Sequence, residues 1–155
     1  MAMASRQFFE QFVRRSFEDF CRHPEDEYLA MTAATYANVM AGRLWHYYRA
    51  YRPWRLYGAS SEIEYRDALS AKECKEFGPV REMAEGSRRL KLKWRSRGVS
   101  AEEQADAEPT NWTDEAQGVT EGPATILLEL DDGSRRSLRQ LLTAVVKMLD
   151  QLSSS

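Results

Sequence analysis

The chain has 155 residues, of which 43% are apolar, so it is long enough for one sizeable hydrophobic core and too short for two. We therefore predict a single domain over residues 1–155. The net charge of −2 argues against a general polyanion-binding protein, because domains that bind phosphate along their whole surface are usually basic.

The charge is unevenly distributed along the chain. Residues 1–97 carry 18 Lys and Arg against 13 Asp and Glu, whereas residues 98–155 carry 4 against 11. A separation of this kind predicts either a local basic surface or ion pairing between the two parts of the chain.

Apolar residues near the start recur every three or four positions, which predicts a helix with one buried face. These residues are Phe9, Phe12, Val13, Phe17 and Phe20. A second helix is predicted from Pro24 to about Tyr51. Residues 28–42 are uncharged, so this helix is expected to be central and buried on nearly every face, although the uncharged run is too short and too polar to span a membrane.

Two shorter helical segments are predicted before residue 90. Ser61 and Glu64 match the spacing of a capping box, which indicates a helix that ends near Leu69. The stretch from Ser70 to Arg89 is also helical in pattern, with Gly78-Pro79 as an interruption.

The period of the pattern then changes to two, as expected of half-buried strands. Leu90, Leu92 and Trp94 alternate with basic residues, and Ile126, Leu128 and Leu130 form the matching face of a second strand. Asp132-Gly133 predicts a tight turn into a short returning strand. An apolar stripe from Leu138 to Leu152 predicts a last helix.

The predicted fold class is therefore mainly α (α+β), a bundle of about five helices with a small antiparallel hairpin or sheet near the C-terminus. A long acidic loop separates the two main strands. Residues 98–123 contain seven acidic residues and no basic one, and we predict that they form a flexible insertion.

Few residues suit metal or cofactor chemistry. The two cysteines, Cys21 and Cys74, lie far apart outside any metal-binding spacing and are expected to be free thiols of a cytoplasmic protein. With two histidines in all, a histidine-based metal site is not expected. Nucleotide-binding, hydrolase and zinc-protease motifs are absent, so we expect no cofactor and no metal. No signal peptide or membrane span is expected either.

The segment Arg43 to Tyr57 contains six aromatic residues, four arginines and His46. Bases stack on aromatic rings and phosphates pair with arginine, so the composition suits a nucleic-acid contact. It equally suits the end of a buried helix, where aromatic rings cover the core and arginine side chains lie over them. Arg43 and Arg49, one helical turn on either side of His46, favour a neutral ring that can accept a proton.

Six basic residues occupy the ten positions from Arg88 to Arg97. Four of them follow the strand period and are expected on a solvated strand face, with Glu129 and Asp131 as cross-strand partners. Arg88 and Arg89 precede the strand and are the two that we assign to function.

Three stretches of the sequence resemble a layout found in HEPN-like helical bundles, a prokaryotic class that includes ribonuclease toxins and phage-defence components. They are "LWHYY" (Leu44 to Tyr48), "VREMAEGSRRLKL" (Val80 to Leu92) and "LDDGSRRSLRQLL" (Leu130 to Leu142). The catalytic signature of that class, an arginine followed after four to six residues by a histidine, is absent. Arg88-Arg89 also stand where the pattern has Lys-His.

The resemblance implies a non-catalytic accessory module of a defence or toxin-related system that contacts a partner protein or nucleic acid, with a homo-oligomer also possible. Its contact residues would converge between the second helix and the first strand. They are Arg43, His46, Arg81, Arg88 and Arg89. Two alternatives remain: a metal-independent ribonuclease that uses His46 with Arg88 and Arg89, and a purely structural subunit of a larger complex.

Overall fold

The computed structural model describes residues 4–86, 91–95, 125–130 and 132–154. It confirms a mainly helical fold with a small antiparallel sheet. Helix α1 (Ser5–Phe8) continues through a π-helical turn (Phe9–Arg14) into α2 (Arg15–Arg22). The later helices are α3 (Glu27–Tyr51), α4 (Glu62–Ala68), α5 (Phe77–Ala84) and α6 (Leu138–Ser154). A short 3-10 turn (Pro53–Arg55) follows α3, and a second π-helical turn (Leu69–Glu73) extends α4.

Helix α3 begins three residues later than predicted, because Asp26 caps it. The Asp26 carboxylate accepts hydrogen bonds from the backbone N–H groups of Tyr28 at 2.8 Å and Leu29 at 3.2 Å. Such a cap satisfies donors that have no partner within the helix and places a negative charge at the positive end of the helix dipole. At the other end, the helix stops at Tyr51, as the sequence predicts.

The buried face of α3 forms the centre of the core. Small residues occupy much of this face, with larger apolar residues toward its C-terminal half: Ala30, Ala33, Ala34, Ala37, Met40, Ala41, Leu44, Trp45 and Tyr48. Helices α2, α4, α5 and α6 all contact α3. The prediction that nearly every face is buried is too strong, because Tyr28, Met31 and Val39 remain exposed on a side that no described element covers.

The three strands form one antiparallel sheet in the order β1 (Lys91–Arg95), β2 (Thr125–Glu129), β3 (Arg135–Ser137). Leu92 pairs with Leu128 and Trp94 pairs with Ile126. Ile126 and Leu128 are fully buried in the core cluster, as the sequence predicts. The alternation is incomplete, however, because Leu127 is also buried and Leu130 is only half-buried.

Lys91 stands opposite Glu129 in the same sheet. The predicted cross-strand pairing of these two positions is therefore present in the register. Asp131 and the acidic loop over residues 98–123 lie outside the described residues.

The first helical segment and α6 are linked by ion pairs at the surface. The Asp150 carboxylate lies 2.5 Å from Arg6 and 3.4 Å from Arg14. The hydrogen bond to Asp150 raises the pKa of Arg6 above its ordinary value. Some of the predicted pairing between the basic and acidic parts of the chain therefore occurs here, although exposed pairs of this kind stabilise a fold only slightly.

A partly buried arginine joins α4 to α3. The Arg66 guanidinium donates hydrogen bonds of 3.0 Å to both the side-chain and the backbone oxygen of Asn38. Ser61 caps α4 by accepting from the backbone N–H of Glu64, as the capping-box spacing predicts. The Glu64 carboxylate reaches the neighbouring Ser60 instead of closing the box on Ser61.

Two buried tyrosines provide a matched test of the core. The Tyr48 hydroxyl donates a 2.7 Å hydrogen bond to the backbone oxygen of Leu152, whereas the buried Tyr65 hydroxyl has no partner within the described part of the chain. We expect Tyr48→Phe to lower the free energy of unfolding by about 1 kcal/mol, the usual net contribution of such a bond. Tyr65→Phe should cause no loss. Urea unfolding of the two variants measures both values, and equal destabilisation would contradict the assignment.

Candidate functional site

Arg43 and His46 lie one turn apart on α3, but their side chains contact different elements. The Arg43 guanidinium carbon lies 4.6 Å from the ring centroid of Phe8 in α1. His46 is exposed, and its Nε2 lies 3.6 Å from a carboxylate oxygen of Glu62 at the start of α4. The sequence suggested arginines as the electrostatic neighbours of His46, whereas the structure places a carboxylate against it.

Arg81 lies in a cleft between α4 and α5 that is predominantly acidic. Its guanidinium pairs with Asp67 at 2.6 Å and with Glu85 at 3.3 Å. Partial burial opposes the charged form of Arg81, but these two carboxylates outweigh it and raise its pKa. Glu82 also lines the cleft, whose volume is about 390 Å³. Three carboxylates around one guanidinium make the cleft unfavourable for a phosphate.

These contacts separate the predicted site residues. His46 lies against Glu62, and Arg81 lies against Asp67. Glu62 and Asp67 are five positions apart on α4, which corresponds to about 140° around the helix axis. His46 and Arg81 therefore contact different sides of α4. Arg88 and Arg89 lie outside the described residues, so their part in the predicted convergence is untested.

The arginine-rich aromatic segment divides into buried and exposed rings. Trp45 and Tyr48 are buried against the core, as the packing interpretation expects. Tyr51 and Trp54, in contrast, are 69% and 75% exposed, and Tyr47 is also exposed. Large rings seldom remain this exposed in a row unless they contact something else. The packing interpretation is therefore confirmed for Trp45 and Tyr48, whereas the nucleic-acid interpretation stays a prediction for the exposed rings.

The exposed rings belong to one surface at the C-terminal end of α3, which we call the α3-end surface: His46, Tyr47, Arg49, Tyr51 and Trp54. Viewed down the helix axis, the first four residues and exposed Ala50 are neighbours, separated by steps of about 40–60°. Their order around the axis is Arg49, His46, Ala50, Tyr47 and Tyr51. The rings of Tyr47 and Tyr51 lie 5.2 Å apart between centroids and are inclined by 44°. We include Trp54 because it is the next exposed ring along the chain, in the 3-10 turn that follows α3.

The charges at this surface are positive. To Arg49 we add Arg52, the half-buried residue that directly follows Tyr51 at the end of α3. No Asp or Glu occurs between residues 28 and 61, a range that contains four arginines. Arg49 lies over the Trp45 ring at 5.0 Å. Within the described ranges, neither Arg49 nor Arg52 forms an ion pair, in contrast to Arg66 and Arg81. Glu62, beside His46, is the carboxylate at the edge of the surface.

The exposed rings were visible in the sequence as a second periodicity. Tyr47 and Tyr51 are spaced by four residues, as are residues on one side of a helix, and Trp54 follows three residues later, beyond the end of α3. The buried rings, Trp45 and Tyr48, have the same kind of spacing. Because both sets are aromatic, spacing alone could not decide which set faces the core.

Thiol and metal chemistry receive little support from the described residues. Cys21 and Cys74 are free and half-buried, as predicted. Burial, followed by the contact with the Glu76 carboxylate, raises the pKa of Cys74 to about 11. Burial also raises the pKa of Cys21, although Arg139 opposes the shift. In the ranges with described coordinates, no group of three or more His, Cys, Asp or Glu could hold a metal ion.

The raised thiol pKa values predict slow alkylation of the folded protein at neutral pH. The thiolate is the reactive form, so Cys74 should react with iodoacetamide at an appreciable rate only as the pH approaches about 11. The measurement is the mass increase of the native protein over time at pH 7 and pH 9, with the protein unfolded in urea as the control. Equal rates for native and unfolded protein at pH 7 would contradict the assignment.

Comparisons of the chain with protein-family models, with curated proteins and with solved structures found no match. Of the described helices, none is long and apolar enough to cross a bilayer. The resemblance to HEPN-like proteins stays a prediction that these comparisons do not test. The candidate site therefore depends on the geometry and charge of the α3-end surface.

Proposed function

We propose that this protein is a non-catalytic binding module that contacts nucleic acid through the α3-end surface. The observation that carries the proposal is the combination of exposed rings with arginines that have no carboxylate partner in the described structure. Guanidinium groups pair with phosphate oxygens, and aromatic rings stack on bases. A polyanion without bases would use the arginines and leave the rings without a role.

The modest net charge of −2 is compatible with a small, local interface. Arg49 and Arg52 provide two cations for phosphate, so electrostatics would supply a limited part of the affinity. The C-terminal end of α3 also carries the negative end of the helix dipole, which would repel phosphate in the absence of these arginines. The affinity should consequently depend on ring contacts as well as on charge.

Two parts of the proposal rest on the sequence resemblance alone. One is membership of a prokaryotic defence or toxin-related system, with a partner protein or a second copy of the chain bound elsewhere on the surface. The other is a contribution of Arg88 and Arg89 to the same interface. Each stays a prediction, and the substitutions Arg88→Ala and Arg89→Ala test the second.

The salt dependence of oligonucleotide binding tests the proposed function. Fluorescence anisotropy with a panel of single-stranded and duplex oligonucleotides should detect binding that weakens as salt rises. Two phosphate contacts on a single strand give a slope of about −1.4 in log affinity against log salt. Raising the salt from 50 to 200 mM should thus weaken binding about sevenfold. Arg49→Ala or Arg52→Ala, made singly, should change the slope to about −0.7.

The control for charge is Lys147→Ala, because Lys147 is exposed on a different helix, α6, and is not one of the residues of the surface. This variant should bind as the unmodified protein does. If no oligonucleotide binds, or if Arg49→Ala and Lys147→Ala weaken binding equally, the α3-end surface is not a nucleic-acid interface. Capture of a protein partner that depends on Tyr51 and Trp54 would then favour the structural-subunit alternative, because Tyr, Trp and Arg also dominate protein interfaces.

We expect no ribonuclease activity. His46 has a carboxylate beside it, which could orient its ring, but Arg43 and Arg49 lie over the rings of Phe8 and Trp45. Cleavage of a phosphate ester requires a cation that stabilises the negative charge of the transition state, and neither arginine is positioned beside His46 for this role. Incubation with labelled RNA should therefore leave the RNA intact. Cleavage that disappears in His46→Ala, with unchanged thermal unfolding, would establish the enzymatic alternative.

A further inference from the structure

We propose that the ligand of the α3-end surface is single-stranded nucleic acid, with two or three unpaired bases stacked on Tyr47, Tyr51 and Trp54. This inference rests on the proposed function and adds the class of ligand. Its test depends on the ring substitutions, whereas the test of the proposed function depends on salt and on the arginine substitutions. The two can therefore fail separately.

The geometry of the rings determines where a base can lie. A base stacked between two rings requires planes about 6.8 Å apart, twice the stacking distance of about 3.4 Å. The centroids of Tyr47 and Tyr51 are 5.2 Å apart and their planes are inclined by 44°. A base therefore cannot enter between them and must stack on an outward face. Tyr51 and Trp54, which are 69% and 75% exposed, offer the most accessible faces.

The spacing along the helix suits neighbouring nucleotides. Tyr47 and Tyr51 are one helical turn apart, which is about 6 Å along the axis. Trp54 continues the series in the 3-10 turn Pro53–Arg55. Successive rings at such intervals match bases that are separated from one another, whereas bases in a duplex are stacked about 3.4 Å apart.

A duplex ligand fits this surface poorly. The faces of its bases are covered by their neighbours in the stack, so exposed rings could reach them only at an end or after an unfavourable unstacking. Recognition of a duplex backbone would depend on many cations, and this surface offers Arg49 and Arg52. Single strands expose both base faces and phosphates, which are the two groups that the surface can bind.

The experiment compares three ligands of equal strand length: an eight-nucleotide single strand of thymidine or uridine, an abasic single strand, and a blunt duplex of eight base pairs, which carries twice as many phosphates. Affinities are measured by anisotropy at one salt concentration. We expect the single strand to bind at least tenfold more tightly than the duplex or the abasic strand. Comparing the thymidine strand with the uridine strand shows whether the surface prefers single-stranded DNA or single-stranded RNA.

Ring substitutions identify the stacking residues. Each of Tyr51→Leu and Trp54→Leu should weaken single-strand binding about 5-fold or more, in line with stacking energies of about 1–3 kcal/mol per base, and should leave the salt slope unchanged. Tyr28→Leu is the matched control, because Tyr28 is 76% exposed near the opposite end of α3. Since all three side chains are exposed, unfolding midpoints should stay the same and will confirm that the variants fold.

The outcomes separate the two claims. If the abasic strand and the duplex bind as tightly as the single strand, and Arg49→Ala still weakens binding, stacking is excluded and the proposed function survives. Equal effects of Tyr28→Leu and Trp54→Leu would also overturn the stacking inference. If none of the three ligands binds, both the inference and the proposed function are wrong.

Discussion

Close packing against the small-residue face of α3 is the interaction on which the rest of the described structure depends. Alanines at 30, 33, 34 and 37 let neighbouring backbones approach closely and carry almost no side-chain entropy cost on burial. The 15-residue run without charge, residues 28–42, makes it possible to surround this part of the helix without burying an ion. Helices α2, α4, α5 and α6 each use a portion of α3 as their main contact surface.

The length of α3 explains why its C-terminal end is available for binding. A helix of 25 residues is about 37 Å long, whereas α5, with 8 residues, is about 12 Å long. Each neighbour therefore covers only part of α3. In the last two turns, Trp45 and Tyr48 remain in the core while Tyr47 and Tyr51 face solvent.

The distribution of ion pairs distinguishes structural arginines from those that are available for a ligand. Arg66 is committed to Asn38 and Glu62, and Arg81 to Asp67 and Glu85. Both belong to the docking of short helices around α3. Arg49 and Arg52 have no such partner in the described part of the chain, and no acidic residue precedes them back to residue 28. In this respect Arg49 and Arg52 differ from Arg66 and Arg81, whose charges are used within the fold.

The sequence by itself determined the helical and strand periods, and with them most of the fold. The apolar stripe from Leu138 and the alternation at Ile126 and Leu128 are local patterns, and the structure follows them because burial acts on whichever face is apolar. The end of α3 at Tyr51 and the cap at Ser61 were likewise predictable, since capping depends on neighbouring residues.

Only the tertiary structure decided which residues form the candidate site. Two sets of aromatic residues share the helical period in the segment from Arg43 to Tyr57, and the position of the other helices determines which set is buried. The same holds for Arg81, whose charge looked available in the sequence until α4 placed Asp67 beside it. Contacts between elements distant in sequence set exposure and charge pairing here, because the local pattern offers two equally aromatic sets and does not distinguish a paired arginine from an unpaired one.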